Sequence, residues 1–139
     1  MSRVSIVLLT GIVFLSLLAA GLLWKMENIA AVPPAAVGGP FRLVDQTGHV
    51  RTDKDFRGRF VLVYFGYTFC PDVCPTTLAL EQNALLKLGP ESGRVVPVFV
   101  TVDPARDTPA VLKTYLALFG PRFVGLTGTS AEIANVARE

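Results

Sequence analysis

The chain has 139 residues and a formal net charge of +2 at pH 7, and 51% of its residues are hydrophobic. One small domain is expected, because a chain of this length forms a single hydrophobic core. Its Lys and Arg residues form no run and no basic face with interleaved aromatic side chains, which argues against nucleic acid as a partner.

The first predicted element is a membrane segment. Residues 4–24 contain no charged side chain and are bracketed by Arg3 and Lys25. A run of about 20 apolar residues spans the hydrocarbon core of a bilayer. No small-residue cleavage site of a signal peptide follows it. We therefore expect a single-pass, uncleaved anchor at residues 1–25, with the globular part on the extracytoplasmic (periplasmic) side.

Two further segments complete the predicted domain organisation. Residues 26–40 are rich in Pro, Gly and Ala, a composition that cannot build a packed core and is typical of a linker. Residues 41–139 are predicted to form the globular domain.

The globular domain is predicted to begin with a β-hairpin, formed by residues 41–44 and 49–52 around a glycine-bearing turn. Residues 60–65 are a continuous run of β-branched and aromatic side chains, which is typical of a strand buried on both faces of a parallel sheet. Two more apolar strands are predicted at residues 95–102 and 122–126.

Helical patterns follow these strands. Residues 76–88 are rich in Leu and Ala and have no internal Pro or Gly. Thr108 is predicted to cap a second helix, with Pro109 at its first position and Gly120 after its end. A capping box opens a third helix at residues 129–138. Strands alternating with helices indicate right-handed crossovers, and thus an α/β fold with a mostly parallel sheet and flanking helices.

The only two cysteines, Cys70 and Cys74, lie between the predicted strand 60–65 and the helix that follows. Open α/β sheets bind their ligands at this position. Because a proline deep in a helix is unfavourable, we expect the regular helix to begin at Pro75, with Cys74 as its N-cap. The helix amides should then lower the pKa of Cys74 and populate its thiolate. Tyr67 is expected to shield the site.

The cysteine pair can support two kinds of chemistry. A separation of four positions brings the Cα atoms within reach of a disulfide, so the pair can cycle between thiol and disulfide forms. The same pair can bind one metal ion. Two cysteines and one histidine cannot complete a structural zinc site, whereas soft thiolates with few partners favour Cu(I). A disulfide that only staples the loop, or two buried thiols, are the alternatives.

A second polar segment, D-P-A-R-D-T-P at residues 103–109, follows the second apolar strand and should lie beside the cysteines. One interpretation is a loop with a helix cap and an ion pair from Arg106 to Asp103 or Asp107. The other is that these residues brace the metal loop or contact the partner. Asp72, between the cysteines, is expected to be solvated and can guide a basic partner.

These motifs resemble the Sco/SenC family of thioredoxin-like copper chaperones. F-G-Y-T at residues 65–68, C-P-D-V-C-P at 70–75 and the segment 103–109 follow the family order, and the similarity extends from about Gly38 to the end of the chain. The resemblance implies a thioredoxin-like fold and a membrane-anchored metallochaperone. Such a protein delivers copper, through the two cysteines, to the binuclear copper centre of a cytochrome c oxidase subunit. A thiol reductant reduces the disulfide of its cysteine pair to the dithiol.

The sequence departs from the family pattern in one ligand and in length. The family has a histidine copper ligand in a downstream Asp-His-Ser segment, followed by a hairpin and a final helix. Here the only histidine is His49, which we interpret as a turn residue. We therefore expect a truncated domain, with a sheet that is incomplete at the C-terminus and has an exposed edge. Cu(II), which also prefers nitrogen ligands, should bind less well than Cu(I).

Two other functions remain open at this point. The same cysteine pair could serve a thiol-disulfide oxidoreductase, in which one cysteine is the nucleophile and the other resolves the mixed disulfide. The chain could also be a truncated product with impaired copper binding. As a metallochaperone it would not be an enzyme.

Overall fold

The computed structural model describes residues 11–13, 15–21, 24 and 38–138. The chain divides into two units, Met1–Ala36 and Val37–Glu139. The described residues of the first unit are helical. No helix in the described part of the chain is long and apolar enough to cross a membrane. About half of the predicted anchor at residues 4–24 and most of the predicted linker lie outside the described residues, and both stay predictions.

Within residues 38–138 the second unit contains five strands. They are β1 (Arg42–Asp45), β2 (Val50–Thr52), β3 (Phe60–Gly66), β4 (Val95–Thr101) and β5 (Val124–Thr127). Their order in the sheet is β2-β1-β5-β4-β3. β3, β4 and β5 pair in parallel, as predicted, whereas β1 is antiparallel to both β2 and β5. The predicted hairpin and apolar strands are therefore all present, but the sheet is mixed.

The described domain also contains three helices and two 3-10 segments. The helices are α1 (Val73–Lys87), α2 (Pro109–Leu116) and α3 (Ser130–Val136), and the 3-10 segments are Asp53–Phe56 and Gly89–Arg94. The predicted caps are confirmed, because Thr108 Oγ1 accepts a hydrogen bond from Val111 N–H and Thr129 forms a capping box with Glu132. α2 and α3 end earlier than predicted, and the sequence patterns did not indicate the 3-10 segments.

The core lies on both faces of the sheet. β4 lies between β5 and β3 and is buried, and its side chains alternate between the two faces, as those of a strand do. Val96, Val98 and Val100 pack with Ile133 of α3 on one face. On the other face, Phe99 packs in a cluster with side chains of α1 and α2, namely Leu78, Leu112 and Leu116, and with Phe123. The sheet and its two flanking layers hold the C-terminal end of β3 in place.

The prediction that β3 is buried on both faces is wrong. β3 is the last strand of the sheet and pairs with β4 alone among the described residues. Its apolar side chains are exposed on both faces, with Phe60 at 63%, Val63 at 46% and Phe65 at 39% exposure. A continuous apolar run indicates that a strand could be covered on both faces. It does not indicate which strands or helices lie next to that strand.

Candidate functional site

The cysteine loop joins the C-terminal end of β3 to the start of α1. The helix begins at Val73, with Asp72 as N-cap, and not at Pro75 as predicted. Pro75 is the third helical residue, where the missing N–H has no effect because amides of the first turn lack an intrahelical partner. The sequence-based prediction placed Pro75 at the first helical position, whereas proline is tolerated at any position of the first turn. Cys74 consequently lies inside the first turn.

This helix start stabilises the thiolate of Cys70, a sulfur that the sequence-based prediction did not single out. The N–H group of Cys74 donates a hydrogen bond to Cys70 Sγ at 3.4 Å. Hydrogen bonds from the thiol and then the amide of Cys74 lower the pKa of Cys70 to about 7. A first-turn amide points back towards the residue that precedes the helix, so the sulfur four positions earlier receives the hydrogen bond.

The two sulfurs differ in accessibility. Both cysteines are free thiols, and Cys70 is half-buried. Cys74 is only 4% exposed. The thiolate is the form that attacks disulfides and binds metals, so the accessible Cys70 is the reactive member of the pair near neutral pH. Cys74 is the protected one.

All three tyrosines of the chain interact with the cysteine pair. Hydrogen bonding to Cys74 raises the pKa of Tyr64, and the charge of Cys70 raises that of Tyr67. Burial raises the pKa of Tyr115 to about 12, and the two cysteine charges contribute. That Tyr67 shields the site stays a prediction. Sequence reasoning missed Tyr64 and Tyr115, although the strand pattern places Tyr64 close to the strand end.

Asp107 braces the cysteine loop. Its side chain is fully buried, at 0% exposure. One carboxylate oxygen accepts hydrogen bonds from Thr68 N–H at 3.0 Å and Thr101 Oγ1 at 2.6 Å, and the other accepts from Thr68 Oγ1 at 2.6 Å. A buried charge requires such donors to offset the loss of solvation. The contacts support the bracing interpretation, because Thr68 lies two positions before Cys70.

Sequence reasoning missed the two threonines that bind Asp107. Thr101 also accepts a hydrogen bond from the N–H group of Asp103 at 3.0 Å, which links the brace to the loop after β4. The sequence did contain a signal for them: a threonine lies at or just after the C-terminal end of each of two neighbouring strands, Thr68 after β3 and Thr101 at the end of β4. Parallel strands bring such positions together at one edge of the sheet.

The remaining predicted site residues surround the loop. Arg106 forms the predicted ion pair with Asp103. Its guanidinium group also lies over the ring of Phe69, 4.9 Å from the centroid, and so covers the neighbour of Cys70. Asp72 is exposed, as expected, and accepts a hydrogen bond from Thr76 Oγ1 at 3.5 Å.

His49 is far from the cysteines in the fold. It is exposed in the β1–β2 turn, and its Nδ1 lies 2.7 Å from Thr47 Oγ1, which confirms its interpretation as a turn residue. Because β1 is antiparallel to β5, this turn lies at the end of the sheet opposite the cysteine loop. Residues 38–138 contain no group of three or more His, Cys, Asp or Glu side chains that could hold a metal ion. The two sulfurs are therefore the ligands that the described site offers to a soft metal.

Known proteins share this fold and sequence. The SCO1/SenC family model matches residues 30–139. A SCO2-like protein of Rickettsia prowazekii is 47% identical over 100 residues, covering 72% of this chain and 49% of the relative. ScoI of Bradyrhizobium japonicum with copper bound superposes with a TM-score of 0.71 at 50% identity, over 74% of this chain and 66% of that one.

A third match is more distant. The structure of BsSco, described as a member of the Sco family of cytochrome c oxidase assembly proteins with a disulfide switch, has a TM-score of 0.65 at 28% identity. It covers 76% of this chain and 64% of that one.

The matched region includes the whole described domain, with its cysteine loop and the Asp107 brace. The chain spans about half the length of the curated relatives it matches. The thioredoxin-like α/β fold expected from the sequence is confirmed by the structural matches. The chain belongs to the SCO1/SenC family.

Proposed function

We propose that the chain is a copper-binding metallochaperone for cytochrome c oxidase assembly, with Cu(I) held by Cys70 and Cys74. The observation that carries this proposal is the pair of free thiols at the start of α1, one of which has a pKa of about 7. Thiolates are the metal-binding form of cysteine, and a two-sulfur site suits Cu(I). The copper-bound ScoI structure and the description of BsSco support the same function.

The difference between the two sulfurs supports transfer by ligand exchange. Copper is the cargo of this reaction. An incoming thiolate or imidazole of the acceptor can reach Cys70, which is half-buried, before it reaches the 4% exposed Cys74. Cys74 would then keep the metal until the acceptor supplies a second ligand. The Asp107 brace keeps the loop in one conformation during the exchange.

The proposed setting is the extracytoplasmic side of a membrane. The uncharged run at residues 4–24 supports an N-terminal anchor. The acceptor would be a copper-binding subunit of cytochrome c oxidase, and a thiol reductant would return an oxidised cysteine pair to the dithiol form. Cu(II) should bind less well than Cu(I), because the described site offers no nitrogen ligand.

Titration of the reduced full chain with Cu(I), in competition with a chromogenic Cu(I) chelator under anaerobic conditions, tests the proposal. We expect one Cu(I) per chain, and loss of this binding in Cys70→Ser and in Cys74→Ser. His49→Ala is the control and should bind copper normally, because this side chain lies at the other end of the sheet. Stoichiometric binding that survives both serine substitutions would refute the proposed site.

A thiol-disulfide oxidoreductase is the second candidate, favoured by the reactive Cys70 beside the protected Cys74. The Cys70 thiolate would attack a disulfide of the substrate, forming a mixed disulfide and releasing one thiolate. Cys74 would then attack Cys70 Sγ and release the second thiol, so that two electrons pass to the substrate and the chain ends as a disulfide. Copper-independent turnover of a protein disulfide with a thiol reductant would favour this function over the chaperone.

A further inference from the structure

The sulfur of Cys74 lies against Gly66, the last residue of β3. A Cβ atom added at Gly66 would be 3.1 Å from Cys74 Sγ, 3.0 Å from Tyr64 Cε1 and 2.9 Å from Phe99 Cε2. Gly66 is buried, and its φ angle is outside the positive range that favours glycine. Glycine is therefore required at this position because the neighbouring side chains leave no room for a Cβ atom, and not because of the backbone conformation.

The sheet explains how this space arises. Tyr64 and Gly66 are two positions apart on one strand and so point to the same face. Tyr64 pairs with Phe99 of β4, and their ring centroids are 6.1 Å apart. Both rings extend over the bare Cα of Gly66, and the first turn of α1 places Cys74 Sγ in the remaining gap. We refer to Gly66, Tyr64 and Phe99 as the Cys74 socket.

We infer that Gly66 is a positioning residue, which fixes Cys74 as the retained copper ligand and leaves Cys70 as the exchangeable one. This inference rests on the proposed copper function and specifies how the site releases its cargo. Non-bonded carbon atoms pack at about 3.5–4.0 Å, so one added methyl group forces a neighbour to move. Phe99 is fully buried and tightly packed. Its ring and that of Tyr64 must still shift from 2.9 and 3.0 Å, and the Cys74 sulfur, at 3.1 Å, must also give way by turning about its side-chain bond.

Gly66→Ala tests the inference, and Gly93→Ala is its matched control. Gly93 has open space around its Cα and no positive φ, so the same added methyl group meets nothing there. Each reduced full chain is treated with iodoacetamide, and the labelling of each cysteine is followed by mass spectrometry. In Gly66→Ala the displaced Cys74 should react at least about tenfold faster, since its protection is lost. Gly93→Ala should label like the wild type.

Two further measurements report on the site itself. Cu(I) affinity should fall by about 10–100-fold in Gly66→Ala, as it does when residues that orient metal ligands are replaced. The equilibrium of the cysteine pair with a dithiothreitol redox buffer should shift by about tenfold, which corresponds to roughly 30 mV. Labelling, copper affinity and redox equilibrium that all equal those of the wild type would overturn the inference.

A double-mutant cycle keeps the test decisive if Gly66→Ala folds poorly. Cys74→Ala removes the sulfur that the new methyl group would meet, so Gly66→Ala should cost less stability in that background. The contacts with Phe99 and Tyr64 remain in both backgrounds, so a partial recovery of stability in the double variant supports the socket, whereas equal costs in both backgrounds refute it. If the wild type binds no Cu(I), the proposed function fails, but the labelling and the cycle still decide the role of Gly66.

Discussion

Replacement of Asp107 is the most informative single perturbation of the cysteine loop. The carboxylate is fully buried and accepts three hydrogen bonds, two from Thr68 and one from Thr101. Asp107→Asn keeps the shape of the side chain. Its carbonyl oxygen can still accept from Thr68 N–H and Thr101 Oγ1, and its amide group can donate to Thr68 Oγ1. What is lost is the charge.

The expected losses of folding stability follow from the number of hydrogen bonds that Asp107 accepts. Hydrogen bonds to a charged group contribute about twice as much as neutral ones, so Asp107→Asn should destabilise the domain by about 1–2 kcal/mol. Asp107→Ala leaves three donors without their acceptor in a buried site and should cost about 3–5 kcal/mol. In a domain of this size, about 1 kcal/mol lowers the Tm by roughly 4–8 °C.

Thermal and urea unfolding of the reduced chain measures both costs, with Asp103→Asn as the control. Asp103 forms a partly exposed ion pair with Arg106, and its loss should cost less than about 1 kcal/mol. Labelling of Cys70 by iodoacetamide should also change in Asp107→Ala, because Thr68 no longer anchors the loop in that variant. Equal costs for the Asp103 and Asp107 substitutions would refute the bracing role.

Three further predictions concern ionisation. Alkylation of Cys70 in the wild type should rise with pH around a midpoint near 7, and a midpoint at about 8.5, the ordinary thiol value, would contradict the hydrogen-bonding scheme. Cys74→Ala removes the thiol that contributes most to this shift, so the midpoint should move upwards in the same assay. Burial disfavours the charge of Asp45, but hydrogen bonds from Thr47 and Arg51 hold its pKa below the usual 3.8. This stabilisation is complete above that value and is lost as the pH falls towards the lower folded pKa. Asp45→Asn should therefore make the free energy of unfolding depend less on pH below about pH 4, measured by urea unfolding between about pH 2 and 5.

Most of the secondary structure could be predicted from local patterns. Apolar runs indicated the strands, and the spacing of Thr108 and Thr129 from their first-turn amides indicated two helix starts that the structure confirms. Such features depend on residues three or four positions apart, so they can be read from a short segment. The position of Cys70 and Cys74 between a strand and a helix could be read in the same way.

The order of the strands could not be predicted, because it depends on contacts between distant parts of the chain. The run of β3 suggested a central strand, but β3 lies at the edge next to β4. Asp107 reaches Thr68 across 39 positions of sequence, and no local pattern encodes that contact.

The sequence by itself determined the chemistry of this protein: two thiols at the start of a helix, in a chain that belongs to the SCO1/SenC family. Only the tertiary structure decided that the helix amide stabilises Cys70 and that Cys74 is held against Gly66. The physical reason is that residue type sets which atoms can react, whereas packing and hydrogen-bond direction set which of two chemically equal thiols is exposed and charged.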